Sequence, residues 1–320
     1  FQCESTIDLY GAGAQLCMRN TAVGLKGNWG NFFLGNWDTP YKLSSGSSYR
    51  PFDTTGSTGV AAILHNETAG NTTNVSNGTS FHRRQNGIVQ YHTPNWNGLV
   101  AMFGYSAKNE STGTAPGTNN PNLWSLGATY NNGPIYVGAG YEKYRGNRVA
   151  AGAAPGATGF PTDTGWNINA AYKFEPINFK LGAIYERLKY GSIGLGDLSR
   201  NAYGFYGDWN IQGPHTLRLG YTVAGDSSGG GAAVGRINTS VAGSLSVAGG
   251  NGIAGLPLTD NGAKMYNIQY AYALSKRTEV NVFYVRLDND AGGLYRIQSG
   301  STANTGQDQT SYGMQLRHSF

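Results

Sequence analysis

Apolar and polar residues alternate along most of this chain, in stretches of similar length. In residues 166–174, large apolar side chains dominate every second position, with Asn, Ala and Lys between them. Residues 124–130, 217–224 and 266–274 share this pattern. A period of two predicts β-strands, and each stretch approaches the roughly 9–11 residues with which a tilted strand crosses a bilayer. We predict fourteen strands, near residues 1–9, 19–27, 31–38, 84–93, 98–108, 122–131, 134–143, 164–174, 178–189, 201–211, 215–224, 263–274, 278–288 and 310–320.

The polar face of these strands consists mainly of Asn, Gly, Ser and Thr, with an occasional Lys or Arg. A soluble β-sandwich usually carries many Lys and Glu on its outer face, whereas this mixture is typical of the wall of a water-filled lumen. Large aromatic residues lie toward the strand ends, where the interface girdles of a transmembrane barrel belong. The pattern therefore predicts an all-β fold, a transmembrane antiparallel β-barrel.

The connections between the predicted strands alternate between short and long. Short ones lie at 28–30, 94–97, 131–133, 175–178, 212–214 and 275–277, and long ones near 38–83, 109–121, 144–163, 191–199, 225–262 and 290–308. An outer-membrane barrel has tight periplasmic turns and long external loops. We find no helical periodicity and no linker, so residues 1–320 are predicted to form one domain in which the Gly-rich segment 225–262 is an external loop.

The composition argues against several classes of protein. No apolar run approaches the roughly 18 residues of a membrane helix, and the 49 glycines disfavour a soluble helical protein. The net charge is +5, but Lys and Arg are scattered, which gives no support for nucleic-acid binding and leaves dispersed solvated charges or an anion-biased cavity. The five histidines lack metal-ligand spacing, so we expect neither a metal nor a cofactor.

The two ends of the chain carry separate signals. One face of the last predicted strand comprises Tyr312, Met314, Leu316, His318 and Phe320, which is typical of a strand that closes a ring. The chain begins without Met or a signal segment, inside a predicted strand, which indicates a processed start or, preferably, an incomplete one. Cys3 and Cys17 have a spacing that fits either a disulfide or two unpaired thiols.

Four segments together resemble the general porins of Gram-negative bacteria, especially the neisserial and burkholderial group. Residues 18–31 (MRNTAVGLKGNWGN) and 34–41 (LGNWDTPY) resemble the fourth and fifth strands, 272–278 (YALSKRT) the penultimate turn, and 316–320 (LRHSF) the terminus. The resemblance implies a homotrimer of 16-stranded barrels, in which residues 1–9 match the third strand and the first two strands are absent. It also gives the terminal strand a role in membrane insertion. A complete 14-stranded barrel is the alternative.

The resemblance further implies that the loop after the fifth strand folds into the lumen and narrows it. Here this loop is about 38–83, and its charged residues are Asp38, Lys42, Arg50, Asp53 and Glu67. Arg19 and Arg84 match arginines of the family's facing wall, whereas Asn119, Asn120 and Asn122 stand where another wall arginine is often found. Carboxylates facing guanidiniums across a narrow gap would create a transverse field. With Arg83 included, the cations outnumber the carboxylates, which predicts a modest anion preference; the alternative for Arg83 and Arg84 is a rim pair facing lipopolysaccharide or solvent.

The leading hypothesis is a non-enzymatic outer-membrane channel for passive diffusion of small hydrophilic solutes. Its expected partners are two further copies of the chain, lipopolysaccharide and outer-membrane lipid, and the solutes or anions themselves. The alternatives are a channel selective for one anion or nutrient, an outer-membrane enzyme, and a soluble β-sandwich binding protein.

Overall fold

A computed structural model describes residues 1–5, 16–49, 52, 57–66, 80–107, 122–145, 162–191, 197–229, 235–237, 245–247, 260–297 and 304–319. Its strands are β1 (Thr21–Gly27), β2 (Gly30–Asp38), β3 (Arg84–His92), β4 (Leu99–Ser106), β5 (Asn122–Asn132), β6 (Ile135–Arg145), β7 (Thr162–Phe174), β8 (Phe179–Tyr190), β9 (Leu198–Gln212), β10 (His215–Ala224), β11 (Gly235–Ile237), β12 (Leu245–Val247), β13 (Ala263–Ala273), β14 (Thr278–Asn289) and β15 (Gln309–His318). Thirteen of them form one sheet in chain order, and β11 pairs with β12 separately. All pairings are antiparallel, as predicted.

Thirteen of the fourteen predicted strands are confirmed, and the first is the exception. Within residues 1–5 the only strand-like pairing is an isolated bridge between Gln2 and Ala22, and residues 6–9 lie outside the described part. The backbone N–H of Arg19 donates to the carbonyl of Glu4 at 3.0 Å, so this segment is held near the start of β1 without a continuous ladder. Within the described residues, β1 and β15 are the two edges of the main sheet.

Side chains alternate between the two faces of the sheet as the sequence predicts. On β7, Trp166 and Ile168 are 41% and 54% exposed, whereas Asn167 and Asn169 are each 2% exposed. Large apolar side chains are therefore on the outside and polar ones on the inside, the reverse of a soluble sandwich. In the described part of the chain, no helix is long and apolar enough to cross a membrane.

The short connections all join strands at one end of the sheet. They span residues 28–29, 93–98, 133–134, 175–178, 213–214 and 274–277, and the one at 175–178 includes a 3₁₀ turn, Glu175–Ile177. The long connections are at the other end, so the predicted alternation is confirmed. In the short turn between β5 and β6, Gly133 has a positive φ of 57°, a conformation that favours glycine.

The constriction loop (residues 38–83) contains two helices, α1 (Pro40–Tyr49) and α2 (Ala61–Leu64). The expectation of no helix was wrong here. The buried side of α1 includes Ser44, Ser45 and Ser48, which produce no hydrophobic period, and their hydroxyls donate to carbonyls three residues earlier.

Both helices lie on the inner face of the sheet. Helix α1 contacts strands β4 to β9, and Ile63 of α2 packs with Met265 of β13 and with Val285 and Leu287 of β14. One loop touches inward residues of strands this far apart in the sheet order only because the sheet curves around it.

Candidate functional site: the covered and open parts of the lumen wall

The inner wall has a part covered by the constriction loop and a part left open. On the covered part, wall side chains donate hydrogen bonds to the backbone carbonyls of α1. The Tyr136 hydroxyl and the Asn169 amide donate to Ser44 at 2.7 and 3.1 Å, and the Lys180 ammonium donates to Ser47 at 2.8 Å. These donors stand on three neighbouring strands, β6 to β8, so α1 is held across the sheet.

Glycines on the same strands allow α1 to approach closely. A Cβ atom at Gly138 would overlap the carbonyl oxygen of Ser44, and one at Gly182 would overlap that of Ser48. Because the obstructing atoms are backbone atoms, no side-chain rotation relieves the overlap. The close packing of α1 against the wall therefore requires glycine at these two positions.

Glu186 on β8 supplies the carboxylate that holds the loop on the covered part. Its carboxylate accepts a 2.8 Å hydrogen bond from the Tyr41 hydroxyl and pairs with Nδ1 of His65, which follows α2. All three side chains are fully buried. Burial and the neighbouring charge of Glu186 raise the pKa of Tyr41 well above its ordinary value, so Tyr41 remains a donor. One carboxylate thus binds a residue of α1 and a residue next to α2, which holds both helices against the wall.

Two further wall residues hold the later part of the loop. Arg200 of β9 is buried, donates to the carbonyl of Leu64 at 2.6 Å and also binds the Tyr295 hydroxyl. The Tyr144 hydroxyl of β6 donates to the carbonyl of Ser80 at 2.8 Å. The loop is therefore attached to its wall along its described length.

The open part of the wall contains the predicted loop and wall charges at the junction of β2 and β3. Asp38 ends β2 and binds Lys42 of α1 at 2.8 Å, and Nε of Arg84 lies 3.7 Å from the same carboxylate. Asn20 links the group, since its amide donates to Asp38 at 3.0 Å and its oxygen accepts from Arg84.

Arg19 extends this group toward the first residues of the chain. Its Nε lies 2.6 Å from Glu4, which also accepts from the backbone N–H of Asn20 at 3.1 Å. Burial acts to raise the pKa of Glu4, but the hydrogen bonds from Arg19 and Asn20 outweigh it and the pKa lies below its ordinary value. Arg19, Asp38, Lys42 and Arg84 form what we name the open-wall site.

Other predicted site residues are placed differently. Arg50, Asp53 and Glu67 lie outside the described residues. Arg83, counted among the pore cations by the sequence, is buried and stacks over the Tyr144 ring at 5.0 Å. It faces neither the lumen nor an outer rim, because it belongs to the covered part of the wall.

Several functional residues were missed by the sequence reasoning. Besides Glu186 and Arg200, Arg218 on β10 faces the lumen and donates to both oxygens of Glu279 on β14, at 2.9 and 3.0 Å. The sequence signal that could have identified these three residues is a charge on the polar face of a predicted strand. Position on that face alone does not distinguish an anchor under the loop from a lumen-lining residue.

The residues singled out at the chain ends are placed as follows. A disulfide joins Cys3 and Cys17, whose Cα atoms are 4.7 Å apart. Tyr312, Met314 and Leu316 are exposed on the outer face of β15, and Phe320 lies outside the described residues. The disulfide holds residues 3–5 beside the open-wall site.

Comparison with known proteins decides the class. The model of the Gram-negative porin family matches residues 1–292. The chain belongs to the Gram-negative porin family. It is therefore an outer-membrane channel protein and not an enzyme, and the curved sheet is a porin β-barrel.

Individual porins resemble this one over most of its length. Outer membrane porin protein 32 of Delftia acidovorans is 25% identical over 315 residues, which cover 94% of this porin and 74% of that protein. An anion-selective porin from Comamonas acidovorans aligns with a TM-score of 0.68 at 20% identity, over 97% of this chain and 80% of that one. The Vibrio cholerae outer membrane protein OmpT, solved in a trimer form, aligns with a TM-score of 0.61 at 14% identity, over 96% and 82%.

Proposed function

We propose that this porin lets small hydrophilic solutes cross the outer membrane by passive diffusion, with a modest preference for anions. The observation that carries the proposal is the sign of the uncovered charges on the lumen wall. A narrow aqueous path between low-dielectric walls concentrates ions of the sign opposite to those walls.

The balance is positive among the described lumen-facing residues that the loop does not bury. Lys173 faces the lumen beside Lys180, but Glu175 balances its charge at 2.9 Å. Apart from that pair, seven cations stand against four carboxylates, a surplus of three. The cations are Arg19, Lys26, Lys42, Arg84, Lys180, Arg218 and Arg317, and the carboxylates are Glu4, Asp38, Asp208 and Glu279. Lys180 contacts α1 but is only partly buried. Near the long-loop end, Asp226, Asp260 and Asp290 have carboxylate oxygens within 4.8 Å of one another, which supports a modest preference over a strong one.

The geometry of the open-wall site supports a different field from the transverse one that the sequence suggested. Asp38 contacts Lys42 and Arg84 directly, so its charge is largely compensated on the same side of the gap. The three cations of the site exceed Asp38 and Glu4 by one. We therefore attribute the selectivity to a net positive wall rather than to opposed rows of charge.

Assembly and lipid contacts belong to the same proposal. We propose a homotrimer, supported by the exposed apolar outer face and by the trimer form of the structurally similar OmpT. We also propose contact with lipopolysaccharide and outer-membrane lipid. Crosslinking in detergent tests the assembly, with a band at three times the monomer mass expected and a monomer alone contradicting it.

Reconstitution in planar bilayers tests the function. We expect stepwise conductance with no energy source, and a reversal potential in a potassium chloride gradient that reports a modest chloride preference. A cation-selective reversal potential would remove the anion proposal. Saturable block of the current by one solute would favour a substrate-selective channel over general diffusion.

A further inference from the structure

Four cations cluster on the outer face of strands β6 and β8, at the end that carries the long loops. They are Lys143, Arg145, Arg187 and Lys189, and we name them the outer basic patch. Lys143, Arg145 and Lys189 are exposed and Arg187 is partly exposed. Their strand neighbours on the opposite face, such as Tyr144 and Leu188, are fully buried. The cations therefore point away from the lumen.

The sheet register brings these charges together. Lys143 of β6 pairs with Thr164 of β7, and Thr164 pairs with Lys189 of β8. At a strand spacing of about 4.8 Å, the two lysine Cα atoms are about 10 Å apart. Arg145 lies two positions nearer the long loops, and Arg187 lies two positions nearer the membrane centre. Four cationic groups thus occupy an area that a headgroup with more than one phosphate can span.

Aromatic side chains fix the level of the patch relative to the membrane. Tyr141, Trp166 and Tyr185 are exposed on the same outer face. Tyr141 and Trp166 are in register with Arg187, on the membrane side of the other three cations, and Tyr185 lies on the membrane side of all four. The Trp166 and Tyr185 rings are 5.4 Å apart between centroids. Aromatic belts sit at the membrane–water interface, so the patch lies among the lipid headgroups of the external leaflet.

The patch is largely uncompensated. Lys189 pairs with Asp197, but among the described residues no salt bridge involves Lys143, Arg145 or Arg187. Arg187 donates to two neutral oxygens, Oδ1 of Asn201 at 3.0 Å and Oγ of Ser199 at 3.2 Å. These contacts orient the guanidinium without neutralising it.

A second outward group of charges provides the contrast. On β14, Arg286 binds Asp288 at 2.6 Å and Asp308 at 3.0 Å. Lys264 of β13 pairs in register with Asp288. This group lies at the same end of the barrel but contains its own carboxylates, so it has little attraction left for an anionic headgroup.

We propose that the outer basic patch binds the phosphate groups of lipopolysaccharide. Guanidinium and ammonium groups form strong charge-assisted hydrogen bonds with phosphate oxygens, and basic clusters beside an aromatic belt attract anionic headgroups. The inference rests on the proposed contact with lipopolysaccharide and assigns that contact to one sector of the barrel.

The test compares two matched double variants of the full chain in detergent. One is Lys143→Gln/Arg187→Gln, and the control is Lys264→Gln/Arg286→Gln in the balanced group. Native mass spectrometry measures binding of purified lipopolysaccharide, of the same lipid after enzymatic removal of its phosphates, and of phosphatidylglycerol.

We expect the patch variant to bind lipopolysaccharide at least about tenfold more weakly than the wild type, while the control stays close to the wild type. We also expect dephosphorylation to weaken wild-type binding by a similar factor, and phosphatidylglycerol to bind less well. Unchanged binding by the patch variant, equal loss in the control, insensitivity to dephosphorylation, or equally strong phosphatidylglycerol binding would each overturn the proposal.

Two further measurements keep the outcome interpretable. Wild-type conductance in the patch variant demonstrates folding and separates this proposal from the channel function, which can fail or hold independently. If the double variant does not fold, Lys143→Gln alone changes one exposed side chain, and we expect about fivefold weaker binding. Wild-type affinity in that variant would contradict the proposal.

Discussion

Glu186 on the lumen wall and Asp38 at the start of the constriction loop both bind side chains of α1, yet their surroundings differ. Glu186 is fully buried beneath the loop and binds Tyr41 and His65. Asp38 keeps 15% of its side chain exposed at the margin of the lumen and shares its charge with Lys42 and Arg84. The first is enclosed by the parts it joins, whereas the second keeps a small part of its surface exposed.

The comparison separates the residues that position the loop from those that set the ion preference of the pore. A buried pair is strongly destabilised when one partner is removed, so the covered wall determines where the loop lies. A pair that keeps contact with solvent contributes less to stability than a fully buried one, and its net charge acts on ions in the lumen. Substitutions on the covered wall should therefore change the width and steadiness of the pore, and those on the open wall its ion preference.

The largest expected effect comes from filling the close approach beneath α1. Gly182→Val places a side chain where the Ser48 carbonyl oxygen lies, and we expect a cost of about 3 kcal/mol together with displacement of the loop. Single-channel recording should reveal a wider or fluctuating pore. Ala183→Val, on the opposite face of the same strand, is the control and should leave conductance unchanged. Steady wild-type conductance in Gly182→Val would contradict the position of α1.

Replacing one carboxylate by alanine on the covered wall and one on the open wall compares what each contributes to stability. Glu186→Ala leaves His65 and Tyr41 without their acceptor, and we expect a loss of about 3–5 kcal/mol in the free energy of unfolding. Glu279→Ala removes the acceptor of the less buried Arg218 and should cost less than about 1 kcal/mol. Urea unfolding in lipid vesicles gives both values. Equal losses would remove the distinction between covered and open walls.

The smallest expected effect is a pH response from Glu4. Its pKa is lowered from the ordinary 4.5, so its pairing with Arg19 is fully present above that value and is lost as the pH falls through the lowered pKa. Glu4→Gln removes this charge at every pH. We expect the variant to be slightly more anion-selective than the wild type near neutral pH, and the two reversal potentials to converge in acid. A constant difference would contradict the assignment.

The strands were predictable because each of them presents one face to lipid and one to water. This leaves a period of two in the sequence, and the thirteen strands fall close to their predicted bounds. Helix α1 left no such trace. Serines make up half of its buried residues and give no hydrophobic period. Its position also depends on glycines of distant strands, Gly138 and Gly182, which are neighbours of α1 only in the folded protein.

The site was predictable in part for the same reason. Arg19, Asp38, Lys42 and Arg84 were selected by resemblance and lie together in the structure. Arg83 was grouped with Arg84 because the two are adjacent, but Arg83 precedes β3 and turns beneath the loop onto Tyr144. Local sequence cannot distinguish these environments, since they are created by contacts with β6.

These two neighbouring arginines give the most direct test that the open wall sets selectivity. The reversal potential in a potassium chloride gradient is measured for Arg84→Gln and Arg83→Gln. We predict that Arg84→Gln weakens the anion preference, whereas Arg83→Gln retains the wild-type reversal potential and loses thermal stability. An equal shift in both channels, or a shift in Arg83→Gln alone, would contradict the account.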